Sequence, residues 1–152
     1  ARNSMAKPIK NNLVIELHVP DFDIVKKFYG SLGFTTISEN VVDEQHPGYL
    51  VMRRPDPLGE TILNFYGGDA RVYDQSFFKQ FPRETVRGYE VEVTIPIKDI
   101  ELFYEKVFIE HKQYIQQELK NKNDRQWTWR DFRMTDPFGF YLRFTELLDW
   151  GQ

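Results

Sequence analysis

The chain has 152 residues, 41% of them hydrophobic, no cysteine and a formal net charge of −3. That is enough apolar material for one folded core, and it excludes disulfides, thiolate catalysis and thiolate metal sites. The acidic balance argues against nucleic acid as a partner, and no apolar run is long enough for a transmembrane helix.

Aromatic residues make up 16% of the chain, with 13 Phe and 8 Tyr. This surplus fits a cavity walled with rings as well as it fits a Phe-rich core. No basic start leads into an apolar stretch, so no signal peptide is expected and a cytoplasmic location is the default. Residues 1–11 read as a tail, and Ala1-Arg2-Asn3-Ser4 ahead of Met5 as a cloning remnant.

In chain order, Leu13, Ile15, Leu17 and Val19 alternate with Val14, Glu16 and His18, the pattern of a strand over 13–19. Pro20-Asp21 ends it. Asp21 or Asp23 can cap a helix reaching about Ser31, with Ile24, Val25, Phe28 and Leu32 as its buried stripe. Gly33 supplies a left-handed end. Strands are expected over 34–38, 48–53 and 60–66, with turns at 41–47 and 56–59. Residues 67–87 form a connector with a helix-like stretch over 74–81, whose Phe77, Phe78 and Phe81 need packing partners. A strand over 89–95 and a helix over 99–117 follow, then a short strand in the 114–120 region and a charged turn over 120–125. Strands over 126–134 and 140–147 flank Asp136-Pro137-Phe138-Gly139.

The chain repeats itself. LVIELHVPDFDIVKKFYGSLGF at 13–34 returns loosened as YEVEVTIPIKDIELFYEKV at 89–107, and RRPDPLGETIL at 53–63 returns as RMTDPFGFYLR at 133–143. Two markers in the same order imply two copies of one supersecondary unit. The expected fold is α+β: tandem βαβββ modules over 12–66 and 88–148, forming curved sheets around a cleft within one structural domain. A unit this small cannot bury its sheet alone, so the copies pack together or on another chain, and the space between them suits a ligand.

Val19-Pro20-Asp21, Phe28-Tyr29 followed by Leu32-Gly33-Phe34, and Asp136-Pro137-Phe138-Gly139 together resemble the vicinal-oxygen-chelate superfamily of glyoxalase I, bleomycin-resistance proteins and extradiol dioxygenases. The segment from Gln126 to Phe132, with Trp127 and Trp129 ahead of DPFG, is most similar to the bleomycin-resistance branch. The resemblance spans about residues 12–146 and is specific for fold rather than chemistry. It implies metal ligands on the first and last strand of each module in the metal-dependent members. Mapped onto this chain, those positions hold Val14, Leu63, Glu90 and Arg143. One of the four is a plausible ligand, and a permanent guanidinium charge repels a cation. A two-residue slip would bring in Glu16 or His18; His46 and His111 have no paired ligand spacing. The expectation is no metal or other cofactor, with a divalent ion left open.

The candidate ligand-binding residues are Glu16, His18, Tyr49, Glu90, Glu92, Trp129 and Arg143. The carboxylates give either an acidic cleft for a cationic guest or a solvated sheet face. Arg143 either pairs with Glu90 in the cavity, or holds a ligand's carboxylate or phosphate, or faces solvent. Trp129 offers a ring for stacking on flat or cationic ligands, or fills core. Tyr49 either lines the first cleft or is an ordinary cross-strand ring. His18 has no second acid or base placed near it by sequence, so no catalytic residue is assigned.

Three functions compete. The first is a metal-free protein that sequesters an aromatic or cationic small molecule, a homodimer by the resemblance, with no nucleic-acid or membrane partner. The second is a metal-dependent lyase, isomerase or dioxygenase of the same superfamily. The third is a module without a small ligand. The missing ligand set favours a binder over an enzyme.

Overall fold

The computed structural model describes residues 13–119 and 129–147. The first copy runs β1 (Ile15–Val19), α1 (Phe22–Ser31), β2 (Thr35–Asn40), β3 (Gly48–Arg54) and β4 (Thr61–Gly67). A connector with two short 3-10 turns, Ala70–Asp74 and Phe78–Gln80, leads to the second copy. That copy runs β5 (Glu92–Pro96), α2 (Ile100–His111), β6 (Ile115–Gln117), β7 (Trp129–Thr135) and β8 (Tyr141–Leu147). Each copy makes one four-stranded sheet, ordered β1-β4-β3-β2 and β5-β8-β7-β6. In both sheets the first and last strands of the copy lie side by side and parallel, and the remaining pairs are antiparallel. The architecture is α+β, two tandem βαβββ modules with curved, unclosed sheets.

Local chemistry accounts for α1. The Asp21 side chain accepts from the Ile24 N–H at 3.1 Å, so a capping carboxylate starts the helix. Val25, Phe28 and Leu32 are buried as expected, whereas Ile24 is 43% exposed and Tyr29 takes the remaining buried place on the stripe. Gly33 ends the helix at φ +98°, and a Cβ there would lie 3.0 Å from Arg54 Nε. Gly33→Ala is therefore expected to cost about 1–2 kcal/mol. Urea unfolding would show this as a lower midpoint at unchanged slope.

Three expectations shift in the second half. The helix ends at His111 rather than Gln117, because Ile115 and Gln117 pair with Met134 and Arg133 on β7 as an edge strand. The strand over 89–95 begins only at Glu92; Gly88 and Glu90 take φ of +67° and +60° in a turn closed by the Val91 N–H on the Gly88 carbonyl at 2.8 Å. The helix-like 74–81 stretch is broken into the two 3-10 turns. Phe77, Phe78 and Phe81 pack on one another with ring centroids 5.2 and 5.9 Å apart, yet stay about half exposed. The charged turn over 120–125 lies outside the described residues.

The modules join through their helix-covered sides into one hydrophobic core, in which Val25, Phe28, Leu50 and Phe65 of the first share a cluster with Val93, Ile95, Phe132 and Phe144 of the second. Each DPxG turn reaches across the junction. Asp56 accepts from Leu58 N–H in its own turn and from the Lys98 N–H ahead of α2, at 2.9 and 3.1 Å. Asp136 accepts from Phe138 N–H and Phe140 N–H, both at 2.9 Å, and from the Tyr29 hydroxyl on α1 at 2.8 Å. Tyr29 and Asp136 are both buried. Burial first, and then the facing carboxylate, holds the Tyr29 phenol well above its ordinary value. Burial also raises Asp136, against the opposing pull of its hydrogen bonds.

His111 sits at the same junction. Its Nε2 is 2.7 Å from Ser31 Oγ, and its ring lies 4.9 Å from that of Phe28. Burial depresses its pKa, with Lys106 adding to that and Glu110 opposing it. The unfolded imidazole therefore takes up its proton first as pH falls below about 6.5. Stability is expected to decline from there down through the lower folded value, and His111→Gln should flatten that part of a pH series of denaturation curves.

Candidate functional site

Each sheet has one side committed to the shared core, so its chemistry stands on the other. On β1, Leu17 and Val19 turn inward, which leaves Glu16 and His18 on the open face. Parallel pairing sets Glu16 beside Asn64 and His18 beside Tyr66, and β3 brings Tyr49 opposite Tyr66.

The contacts follow that register. His18 Nε2 lies 3.1 Å from Glu16 Oε2, and Asn64 Nδ2 donates to Tyr49 Oη at 2.6 Å. Burial raises the Tyr49 phenol, and the neighbouring Glu16 carboxylate adds to it. The His18 ring lies 4.8 Å from Tyr66 and 5.1 Å from Phe78, which arrives edge-on from the connector. Arg87 ties the connector down by donating to the His18 carbonyl at 2.7 Å. With Nε2 on the carboxylate, His18 Nδ1 is buried and has no hydrogen-bond partner among the described residues. The first open face is thus an aromatic wall with one carboxylate and one spare ring nitrogen.

The second open face is built of alternating charges. β5 contributes Glu92, β8 Arg143, and β7 Asp131 and Arg133, with Arg133 directly opposite Arg143. Asp131 is buried; Arg143 Nε and Nη2 both lie 2.9 Å from its Oδ2. Arg133 donates to Glu92 at 2.9 Å and to Gln117 at 2.7 Å, and lies 3.4 Å from Asp131. Two guanidiniums held close together are tolerable because two carboxylates are interleaved with them.

Of the residues expected from sequence, Glu16, His18 and Tyr49 meet on the first face and Glu92 and Arg143 on the second. Glu90 does not join them: it lies in the exposed turn before β5, and Arg143 is partnered by Asp131 and Glu92 instead. Trp129 opens β7, but its ring and all of Trp127 lie outside the described residues. Asn64, Tyr66, Asp131 and Arg133 complete the faces and were not singled out. Period-two alternation from Tyr49, Glu92 and Arg143 across the paired strands was the signal that leads to them.

The positions mapped for metal ligands do not make a divalent-ion site. Leu63 is buried on the core side, Glu90 is in a turn, and Arg143 lies in an ion-pair network. Among the described residues no three His, Asp or Glu side chains converge as a metal would need.

No protein-family model matches the sequence, and no curated protein matches it significantly. Solved structures do. A bleomycin resistance determinant encoded on the transposon Tn5 superposes at a TM-score of 0.56 and 17% identity, over 92% of this chain and 100% of that one. The chain has the glyoxalase/bleomycin-resistance fold. A bleomycin-binding protein complexed with bleomycin gives a TM-score of 0.52 and 18% identity, over 90% of this chain and 98% of that one. A glyoxalase family protein from Enterococcus faecalis gives 0.54 and 20%, over 88% and 94%. Within this fold, sheet faces turned away from the helices are what the present chain furnishes with polar and aromatic groups. Among the described residues no helix is long and apolar enough to cross a membrane.

Proposed function

We propose that the protein binds a small, flat, cationic or zwitterionic molecule on its open sheet faces without a metal ion, sequestering it rather than transforming it. The observation that carries this reading is the first open face: rings of His18, Tyr49, Tyr66 and Phe78 around the Glu16 carboxylate, with His18 Nδ1 unsatisfied among the described residues. Ring faces attract cations, and a carboxylate adds charge attraction once water is excluded. A buried ring nitrogen with no partner among the described residues costs free energy, and a shift of the His18 ring toward a guest N–H or O–H would relieve that cost. The second face adds carboxylates and guanidiniums that can recognise polar groups of either sign.

The mapped metal positions do not fit an ion, which supports metal-free binding over the metal-dependent chemistry of the fold. The fold's bleomycin-binding member gives a precedent for a bound small molecule.

We further propose a homodimer. Each open face looks away from the core its own chain shares, so a second copy is what would close a cleft over it.

The test is calorimetric titration with ethidium, a flat aromatic cation, and with naphthalene sulfonate, a flat aromatic anion, in EDTA. Saturable binding of the cation, weakened roughly tenfold by Glu16→Gln, is expected. Preference for the anion, or indifference to Glu16→Gln, would overturn the assignment of the first face.

A further inference from the structure

Helix α2 is apolar on two sides. Ile100 and Val107 are buried, and Phe103 and Tyr104 pack on the core. On the side facing away from these, Leu102 is 71% exposed and Ile109 83%. Seven residues apart, they line up after two turns on one outer stripe. Alongside runs a groove of about 570 Å³ with Ile97 and Phe103 among its lining residues and Pro57 of the first DPxG turn on its far wall. None of this belongs to the open sheet faces.

What lies between the two exposed apolar residues identifies the occupant. Glu105 and Lys106 sit at the middle of the stripe, adjacent, opposite in charge and exposed. An antiparallel second α2, related by a two-fold axis between these positions, sets Leu102 against the partner's Ile109 and Glu105 against the partner's Lys106. The same operation sets exposed Asp99 against the partner's Lys112. Glu101, which would face a like charge, is turned aside to Arg130 at 2.6 Å. A parallel pairing would instead oppose Glu105 with itself and Lys106 with itself. The stripe is self-complementary in one orientation only, as an isologous contact requires.

We propose that the outer face of α2 is a self-association surface on which a second copy of this chain docks antiparallel, each copy's Leu102 and Ile109 packing against the other helix and its flanking groove. Two apolar side chains per copy put the contact in the small, weak class, below about 1,200 Å². It is separate from the face-closing dimer proposed above, so with that dimer it gives a dimer of dimers.

The test is sedimentation of the full chain across a concentration series. Wild type is expected to show a concentration-dependent doubling of mass. Glu105→Lys and Lys106→Glu should each weaken that step roughly tenfold, since two ion pairs become repulsive at once. A chain carrying both exchanges should regain it, and an equimolar mixture of the two single variants should associate where neither does alone. Far-ultraviolet dichroism checks that these exposed substitutions leave the fold intact. Wild type without a doubling step, single variants that associate normally, or a double exchange that fails to restore the step would each overturn the proposal. Ethidium titration of the Glu105→Lys variant reports on the open faces alone, so loss of one reading leaves the other standing.

Discussion

Replacing Asp131 by alanine should lower the unfolding free energy by about 3 kcal/mol, because it leaves the guanidinium network of the second open face without its buried anion. Asp131 is 2% exposed and holds Arg143 at 2.9 Å and Arg133 at 3.4 Å. Breaking a buried pair by removing one partner typically costs about 3–5 kcal/mol. The arginine side chains keep 17% and 19% exposure, and Glu92 stays beside both, so the lower end applies. Asp131→Asn, which keeps an acceptor but not the charge, should lose about half as much. Urea denaturation of the three proteins gives the values. A loss below about 0.5 kcal/mol for the alanine variant would place Asp131 among ordinary surface ion pairs.

The second large effect is expected at the module junction. Asp136→Ala should cost about 3–4 kcal/mol, since the Tyr29 hydroxyl loses a buried acceptor and the turn amides of Phe138 and Phe140 lose theirs. A double-mutant cycle of Tyr29→Phe with Asp136→Asn should give a coupling energy of about 1.5–3 kcal/mol. Independent additive losses would mean the turn acts only within its own module.

The same pair predicts an alkaline limit. Folding holds the Tyr29 phenol neutral above its ordinary range. The unfolded chain ionises near pH 10, so stability is present below that pH and falls as pH rises through the higher folded value. Tyr29→Phe should remove part of that fall.

Much of the fold was legible because short-range chemistry writes it locally. Asp21 caps α1, Gly33 ends it, and the Asp-Pro turns at 56–59 and 136–139 recur in both copies. Alternation along β1 separated Glu16 and His18 from Leu17 and Val19 without reference to any neighbour. What failed depended on neighbours. Lys112 to Gln117 contains good helix formers that extend the expected helix, but pairing with β7 makes Ile115–Gln117 the short strand expected in the 114–120 region, and tertiary pairing outweighs weak propensity. Glu90 continued an alternating pattern on paper, yet its φ of +60° places it in a turn, a conformation that its residue type gives no sign of.

The partners of Arg143 were half legible. Antiparallel register about the DPFG turn puts Arg133 opposite Arg143, and the same alternation then puts Asp131 on that face. Tyr29 and Asp136 are 107 positions apart, and only the packing of one module on the other brings them together.

The open faces are proposed to hold a small molecule without a metal ion. The measurement that addresses this most directly is calorimetric titration of bleomycin and a panel of flat aromatic cations into EDTA-treated protein, repeated after adding Mn²⁺, Fe²⁺, Ni²⁺ or Zn²⁺. Saturable binding in EDTA that the metals leave unchanged is expected, with a guest at 100 times its dissociation constant adding about 2.7 kcal/mol to stability. Binding that appears only with one of the metals, or no saturable binding by any member of the panel, would contradict the proposal.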